Sequence, residues 1–245
     1  MPALPTFPSA PRWYSYVLTG RWLFLKGAVK AGRAPVGGFD GPSESNETAS
    51  PLTGGPIPER LVAEGGDGYL LADALSRYVW ALPNLDGKRV VELGCGTGYG
   101  AYVMSWVAPS VTALDFSSDA VAFASEHYPG VDYRVADLTD PAEPLPEGDV
   151  AVCFEVLEHL TDPDRVMRDA LATYERVFFS VPNPWWHMSQ LNPHHINDWP
   201  LSEWKRRLAV AGANRIKTYS QMRMRPEVVR GWRPRASGWV FDCSR

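Results

Sequence analysis

The sequence predicts an α/β fold in which helices cover both faces of a mostly parallel sheet. From about residue 59 onward, short apolar runs with strand character alternate with segments of helical period. Parallel strands need crossover connections, so this alternation predicts strand–helix–strand units with a ligand site beyond the carboxyl ends of the strands. The chain has 245 residues, 45% of them hydrophobic, which is enough for one core with little left for a second domain.

The first half of this fold is predicted from three strand–helix pairs. A helix at 68–82 precedes a β run at 88–93, and a glycine-rich turn then opens a helix at 98–107. The pattern repeats as a strand at 110–116 and a helix at 119–127, followed by a strand at 131–136. Strands separated by helices in this way are expected to pair in parallel.

The second half begins with a strand at 149–154 that is expected to run directly into a helix at 155–160. A helix at 164–174 and an apolar strand at 176–181 follow, and Pro182-Asn183-Pro184 stops that strand. The remaining elements are a helix at 201–211 and two weaker strands at 215–221 and 238–243.

Residues 1–58 are expected to form an N-terminal helix and a lid or linker, ahead of the main domain at 59–245. A helix rich in aromatic and basic residues is predicted at 12–32, with packing on the body as its expected role. Of the 26 residues in 33–58, five are Gly, five are Pro and five are Ser or Thr, which is typical of a lid or linker. Contact of this region with a partner or a membrane surface is left open.

Composition excludes several classes of protein. The formal net charge of −4 gives no global attraction to nucleic acid or membranes. No stretch approaches the ~20 uncharged apolar residues of a membrane span, and no secretory signal is expected. The cysteines Cys95, Cys153 and Cys243 are odd in number and far apart, which predicts reduced thiols in a cytoplasmic protein.

The most informative motif is a strand that ends in a glycine-rich turn between Val90 and Gly100. Its glycines let the backbone approach a ligand closely, while helix N–H groups face that ligand. A dinucleotide fingerprint would need a glycine where Tyr99 stands, and a P-loop would need a following Gly-Lys-Ser/Thr. Glu92, two residues before the first glycine, suits a cationic ligand better than a pyrophosphate.

Acidic residues end the next two predicted strands. Asp115 lies about twenty residues beyond the glycines, where a carboxylate accepts both ribose hydroxyls. Asp137, followed by Leu138, is placed to meet an adenine amino group. Each acid alone is also compatible with a helix cap, so the argument depends on their order along the chain.

This ordered set resembles the class I S-adenosylmethionine-dependent methyltransferases over residues 59–245. The resemblance implies a Rossmann-like seven-stranded methyltransferase sheet with helices on both faces, a last antiparallel strand, and S-adenosylmethionine as the methyl donor. The residues that it implies for the cofactor site are Arg60, Tyr69, Glu92, Gly94, Cys95, Gly96, Gly98, Asp115, Phe116, Asp137, Leu138, Phe154 and Glu155.

A second constellation has the composition of a metal site. Glu155, Glu158 and His159 are spaced so that a helix would place all three on one face, although a solvated polar surface is the alternative. His194 and His195 lie in the loop after the neighbouring strand. Two carboxylates and two imidazoles suit a divalent ion with open positions for substrate oxygens.

The combined pattern resembles two metal-assisted branches of the superfamily, the small-RNA 2′-O-methyltransferases and the ubiquinone-pathway O-methyltransferases. Residue by residue, the resemblance implies Mg²⁺ or Mn²⁺ held by Glu155, Glu158, His159 and His195. The candidate catalytic residues are Glu158, His159 and His194, with one of the two histidines taking the proton of the acceptor.

A divalent ion acidifies a bound hydroxyl, so O-methylation is favoured over N-methylation. Six of the ten tryptophans lie from residue 185 onward, and their faces suit sugar rings or stacked bases. A sugar or oligosaccharide acceptor is the first hypothesis, because the chain also resembles the sugar 1-O-methyltransferase of methylmannose polysaccharide biosynthesis. An RNA 2′-O-methyltransferase and a non-catalytic S-adenosylmethionine-binding protein stay open, as does a homodimer.

Overall fold

The fold is built on one eight-stranded sheet. This computed structural model describes residues 68–185, 194–222 and 227–245. The predicted helix at 12–32, the predicted lid or linker at 33–58 and Arg60 lie outside these ranges. Within them, no helix is both long and apolar enough to cross a membrane.

Five strands pair in parallel, and the remaining three join the sheet through antiparallel pairs. The strands are β1 Arg89–Leu93, β2 Ser110–Asp115, β3 Asp132–Val135, β4 Val150–Phe154, β5 Arg176–Pro182, β6 Arg215–Met222, β7 Glu227–Arg230 and β8 Gly238–Ser244. Their spatial order is β3-β2-β1-β4-β5-β8-β6-β7, with β8 antiparallel to both β5 and β6. The α/β class and the antiparallel last strand are therefore confirmed.

Helices cover both faces of this sheet. They are α1 Gly68–Ala81, α2 Tyr99–Ser105, α3 Ser118–His127, α4 Pro163–Thr173 and α5 Leu201–Val210, with short 3₁₀ turns at Leu82–Asn84 and Leu157–His159. Aspartate and serine side chains cap two of the helices: Asp162 accepts from the Arg165 N–H at the start of α4, and Ser117 accepts from the Ala120 N–H at the start of α3.

The expected count of seven strands is wrong for the described part of the chain, which has eight. The additional strand is β7, which pairs antiparallel with β6 at the sheet edge. It has only four residues and exposes both of its ends, so it lacks the length over which an alternating pattern becomes recognisable. Tertiary pairing rather than local pattern makes this segment a strand.

Two hydrophobic cores lie on opposite faces of the sheet. Strands β1 and β4 lie between them, and every residue of β4 is buried. One core packs α1 and α2 on one face, and the other packs α4 and α5 on the opposite face. Large side chains such as Tyr78, Met104, Trp204 and Leu208 are buried here, each contributing roughly 1.5–3 kcal/mol.

Burial of both faces leaves the ends of the strands as the accessible part of the sheet. Cys95, Cys153 and Cys243 are buried and form no disulfide bond, which agrees with the prediction of reduced thiols. Because β1, β2, β4 and β5 are parallel, their carboxyl ends lie along the same side of the sheet, which we call the carboxyl edge. The predicted site residues follow the strands there.

Candidate active site at the carboxyl edge of the sheet

The glycine-rich turn after β1 has a conformation that favours glycine. Gly94, Gly96 and Gly98 all have positive φ values, of 81°, 54° and 88°. A Cβ atom on Gly94 would lie 2.4 Å from a Val156 methyl group, and one on Gly98 would lie 2.5 Å from the Ala124 Cβ. The turn therefore packs closely against the segments after β4 and in α3, and it opens α2 as the sequence predicts.

Glu92 lies beneath this turn and is fully buried. The Tyr78 hydroxyl in α1 donates a hydrogen bond of 2.7 Å to its Oε1 atom. Burial raises the pKa of Glu92 to about 8, and the charge of Asp115 adds to this, while the Tyr78 bond opposes it. Glu92 thus links α1 to the end of β1 and changes charge near neutral pH.

Asp115 ties the end of β2 to the glycine turn. Its Oδ2 atom accepts from the Gly96 N–H at 2.8 Å, and its Oδ1 atom accepts from the Ser117 N–H at 3.0 Å. The next residue, Phe116, leaves 69% of its surface exposed. A carboxylate beside an exposed aromatic ring suits a ribose and its base, and the ribose role of Asp115 stays a prediction.

The end of β3 is more open. Asp137 is exposed, and its Oδ1 atom accepts from both the N–H and the hydroxyl of Thr139, at 2.8 and 2.7 Å. These two bonds lower the pKa of Asp137. Leu138 is half-buried and packs against the core beside α4.

Two further predicted cofactor residues lie at the carboxyl ends of β1 and β4, and a third belongs to α1. Cys95 and Phe154 are buried in the core, where Phe154 packs edge-on against Tyr78 at 5.2 Å between ring centroids. Tyr69 belongs to α1, and its side chain lies outside the described part of the chain. Cys95 and Phe154 therefore support the site from below.

The predicted helix at 155–160 is wrong. Glu155 has a φ of 55°, and the only helical geometry in this segment is the 3₁₀ turn Leu157–His159. The Glu155 N–H donates to the Ser180 carbonyl at 3.1 Å, which continues the pairing of β4 with β5 for one more residue. A φ of 55° is incompatible with a right-handed helix at Glu155, and Glu155, Glu158 and His159 consequently do not form one helical face.

Glu158, His159 and His195 nevertheless come together. Each offers one ligand atom, and these atoms all lie within 4.8 Å of one another. We call these three residues the metal cluster. Glu158 is fully buried, and among the described residues neither of its carboxylate oxygens has a hydrogen-bond partner.

Burial raises the pKa of Glu158 well above its usual value, and the neighbouring charge of Glu155 adds to the effect. An unpaired buried carboxylate is costly, and a cation placed between it and two imidazoles removes that cost. The donor set of one carboxylate and two imidazoles therefore fits a divalent metal ion.

The tautomer of His159 also suits a metal ligand. Its Nδ1 atom lies 3.1 Å from the His194 carbonyl oxygen, a bond in which the ring nitrogen must donate. The lone pair then lies on Nε2, which is 3.8 Å from Glu158 Oε1. A backbone partner on the other ring nitrogen is the usual way of orienting a metal-bound histidine.

Asn197 holds the loop that carries His194 and His195, which we call the histidine loop, against the turn Leu157–His159. The sequence gives no signal of this role. Its side-chain amide donates to the carbonyls of Leu157 and Leu160, at 3.0 and 2.6 Å. The N–H groups of Ile196 and Asn197 both donate to the Glu158 carbonyl. These bonds fix His195 beside Glu158 although the two residues are far apart in sequence.

Trp199 supports the same loop from the other side. It packs on Trp204 with 4.7 Å between ring centroids, and the Arg207 guanidinium lies 3.5 Å from its centroid. Trp199 therefore anchors the histidine loop to α5.

Glu155, predicted as a fourth ligand, lies outside the metal cluster. Its Oε1 atom accepts from the Ser180 hydroxyl at 2.8 Å and lies 3.9 Å from Arg77 Nη1. His194 is exposed at the edge of the cluster. The structure thus brings together three of the four predicted ligands.

The geometry defines a Rossmann-like domain with a glycine-rich turn after β1, and comparison with known proteins agrees on the fold. Residues 64–218 match the family model described as a methyltransferase domain, and the chain belongs to that family. A crystal structure of an S-adenosylmethionine-dependent methyltransferase from Mesorhizobium loti aligns with a TM-score of 0.56 over 73% of this chain and 100% of that chain, at 19% identity. This likeness confirms the predicted fold.

Two curated relatives share parts of the sequence. A probable S-adenosylmethionine-dependent methyltransferase of Mycobacterium tuberculosis H37Rv is 32% identical over 146 residues, which are 55% of this chain and 52% of the relative. A ubiquinone biosynthesis O-methyltransferase of Pseudomonas syringae pv. tomato is 37% identical over 108 residues, which are 41% and 47% of the two chains. The chain spans about half the length of the curated relatives it matches.

The raised pKa of Glu92 predicts a pH-dependent stability. The unfolded carboxyl ionises near pH 4.5 and the folded one near pH 8, so the stability that Glu92 contributes is complete below pH 4.5 and is lost as the pH rises to 8. Glu92→Gln should remove this part of the slope when urea unfolding of the cofactor-free protein is measured between pH 5 and 8. Asp137→Asn, whose carboxyl has a lowered pKa, should retain the slope; equal slopes for Glu92→Gln and the wild type would contradict the assignment.

The position of Asp115 predicts that a substitution there weakens the binding of the methyl donor. Asp115→Asn should weaken S-adenosylmethionine binding by about 10- to 100-fold, because a hydrogen bond to a charged acceptor contributes roughly 1.5–3 kcal/mol. Isothermal titration calorimetry measures this directly. Asp132→Asn is the matched control, since Asp132 is exposed at the start of β3 and pairs with Arg134. An unchanged dissociation constant in Asp115→Asn would exclude this carboxylate from the cofactor site.

Proposed function

We propose that the protein transfers a methyl group from S-adenosylmethionine to a hydroxyl oxygen with the help of a divalent metal, Mg²⁺ or Mn²⁺. The observation that carries this proposal is the buried Glu158 carboxylate, which lacks a hydrogen-bond partner among the described residues and lies beside His159 and His195. Family membership supports methyl transfer. The O-methyltransferase name of the Pseudomonas relative supports an oxygen acceptor.

The donor side of this reaction depends on backbone shape. The glycine turn and Asp115 hold the donor at the ends of β1 and β2, while Val156 contacts Gly94 from the acceptor side. The methyl group passes from sulfur to the acceptor oxygen as the S–C bond breaks and the O–C bond forms. Aligning these atoms at about 3–3.5 Å supplies several kcal/mol of the barrier.

The acceptor side must make a hydroxyl nucleophilic. Glu158, His159 and His195 would hold the divalent ion, which would supply the Lewis acidity that makes a hydroxyl more nucleophilic. Both nitrogens of His159 are committed, one to the His194 carbonyl and the other to the metal cluster. The exposed His194 imidazole is therefore the base that we assign to the acceptor proton.

For the acceptor itself we propose a sugar or an oligosaccharide. Trp185 follows β5 at the carboxyl edge and leaves 78% of its surface exposed, and its backbone N–H donates to Asn183 Oδ1 at 3.1 Å. A large exposed aromatic ring at this position suits the C–H face of a pyranose. Trp185 therefore presents an exposed aromatic ring at the carboxyl edge of the sheet.

An RNA 2′-hydroxyl is the second candidate, and a basic loop favours it. Arg233 and Arg235 are exposed in the segment between β7 and β8. The Asn183 side chain donates to the Ala236 carbonyl at 2.8 Å, which places this segment beside the carboxyl end of β5. Arginine side chains at that position suit phosphate groups.

Removal of the metal cluster should separate metal binding from donor binding. Glu158→Gln and His195→Ala should each weaken Mn²⁺ binding by at least about 100-fold, because a ligand is lost, while the dissociation constant of S-adenosylmethionine stays within about threefold. Calorimetric titration with each compound gives both values. His127→Ala is the control, since His127 stacks on Phe123 in α3. Wild-type protein that binds no Mn²⁺, or a Glu158→Gln variant that binds it normally, would remove the metal from the proposal.

Transfer of a labelled methyl group should identify the acceptor class. The wild-type protein with Mn²⁺ should label mannose oligosaccharides but not single-stranded RNA, and exhaustive chelation should abolish the labelling. Trp185→Ala should raise KM for the oligosaccharide by about 10-fold, since one aromatic stacking contact contributes ~1–3 kcal/mol. Labelling of RNA alone would favour the 2′-hydroxyl candidate and overturn the sugar assignment.

A further inference from the structure

Glu155 is held in an unusual conformation at the centre of the carboxyl edge. Its φ of 55° is the only positive value among the described non-glycine residues. The left-handed region is unfavourable for such residues and persists only where surrounding contacts enforce it. Here Ser180 supplies three of those contacts: its carbonyl and hydroxyl oxygens each accept from the Glu155 N–H at 3.1 Å, and its hydroxyl donates to Oε1 at 2.8 Å.

Arg77 provides the charge that faces Glu155. It projects from α1, leaves only 8% of its surface exposed, and places Nη1 3.9 Å from Glu155 Oε1. The same Nη1 atom donates to Gln221 Oε1 at 2.8 Å, and the Gln221 amide in turn donates to the Asp73 carbonyl at 2.8 Å. Arg77 is therefore held by its hydrogen bond to Gln221, and Gln221 is in turn bonded to α1.

The alternative position for this carboxylate is the metal cluster. Glu155 lies three residues before Glu158, and its charge adds to the effect of burial in raising the pKa of Glu158. Without Arg77, a cation at the cluster would attract the Glu155 carboxylate. The structure instead shows Glu155 paired with Arg77 and Ser180, outside the cluster.

We propose that Arg77 is a positioning residue that withholds Glu155 from the metal cluster, so that the ion has three protein ligands and keeps positions open for the acceptor. This inference rests on the metal-assisted function proposed above. A fourth, anionic ligand would bind the ion more tightly but would occupy a position that a substrate oxygen needs. The pairing of Arg77 with Glu155 thus lowers the affinity for the metal ion but leaves a coordination position open for the acceptor.

The test is a double-mutant cycle read by Mn²⁺ binding rather than by activity. Arg77→Met should tighten Mn²⁺ binding by about 10-fold, because Glu155 is released to the ion. Glu155→Gln should change the affinity by less than about threefold in the wild type, yet weaken it by about 10-fold in the Arg77→Met background. If Arg77 has only a structural role, Arg77→Met should weaken Mn²⁺ binding. If Glu155 acts only through its long-range charge, Glu155→Gln should weaken Mn²⁺ binding equally in the wild type and in Arg77→Met.

Matched controls make the result specific. Arg176→Met removes an arginine paired with Asp242 at the opposite end of β5, and it should leave Mn²⁺ binding unchanged. Arg77→Lys keeps the charge and should remain within about threefold of the wild type. Circular dichroism and S-adenosylhomocysteine binding report whether each variant is folded.

Several results would overturn the role of Arg77. Unchanged or weaker Mn²⁺ binding in a folded Arg77→Met variant contradicts it while leaving the metal-assisted function intact. A loss in Glu155→Gln as large as that in Glu158→Gln shows that Glu155 is a ligand in the wild type, and this measurement decides the matter even if Arg77→Met does not fold. Wild-type protein without affinity for Mn²⁺ overturns the metal-assisted function and this role together.

Discussion

The contact between Gly94 and Val156 couples the two halves of the candidate site. A Cβ atom at position 94 would lie 2.4 Å from the Val156 side chain, so the turns after β1 and β4 can meet only where residue 94 is glycine. The first turn is the one that we propose for the methyl donor, and the second leads directly into the metal cluster. Methyl transfer needs its reacting atoms within about 3–3.5 Å, so this single contact sets the geometry that the proposed chemistry requires.

Two fully buried carboxyl groups lie next to these turns, and α1 contacts the site on both sides. Glu92 receives a hydrogen bond from Tyr78, whereas the pairing of Arg77 with Glu155 lies beside Glu158. Burial raises the pKa of both Glu92 and Glu158, and such perturbed groups cluster at functional sites. Because one helix contacts both halves, movement of α1 would change the donor side and the acceptor side together.

Much of the fold was predictable because its signals are local. The apolar run of β1 and the glycine spacing that follows it identify a strand, a turn and a helix without reference to the rest of the chain. Strand β7 was missed, since its four residues are ordered by pairing with β6 rather than by their own pattern. The segment at 155–160 was misread for the same reason: its spacing is helical, yet Glu155 pairs with Ser180 on the neighbouring strand.

The sequence by itself determined the α/β class, the glycine turn, and the acids that end β1 and β2, because each depends on a few adjacent residues. It also supplied the residue types of the metal cluster. Only the tertiary structure decided which of them meet: Asn197 brings His195 to Glu158, and Arg77 with Ser180 holds Glu155 outside the cluster. These partners come from distant segments, and their interactions depend on distance and burial, which residue spacing does not encode.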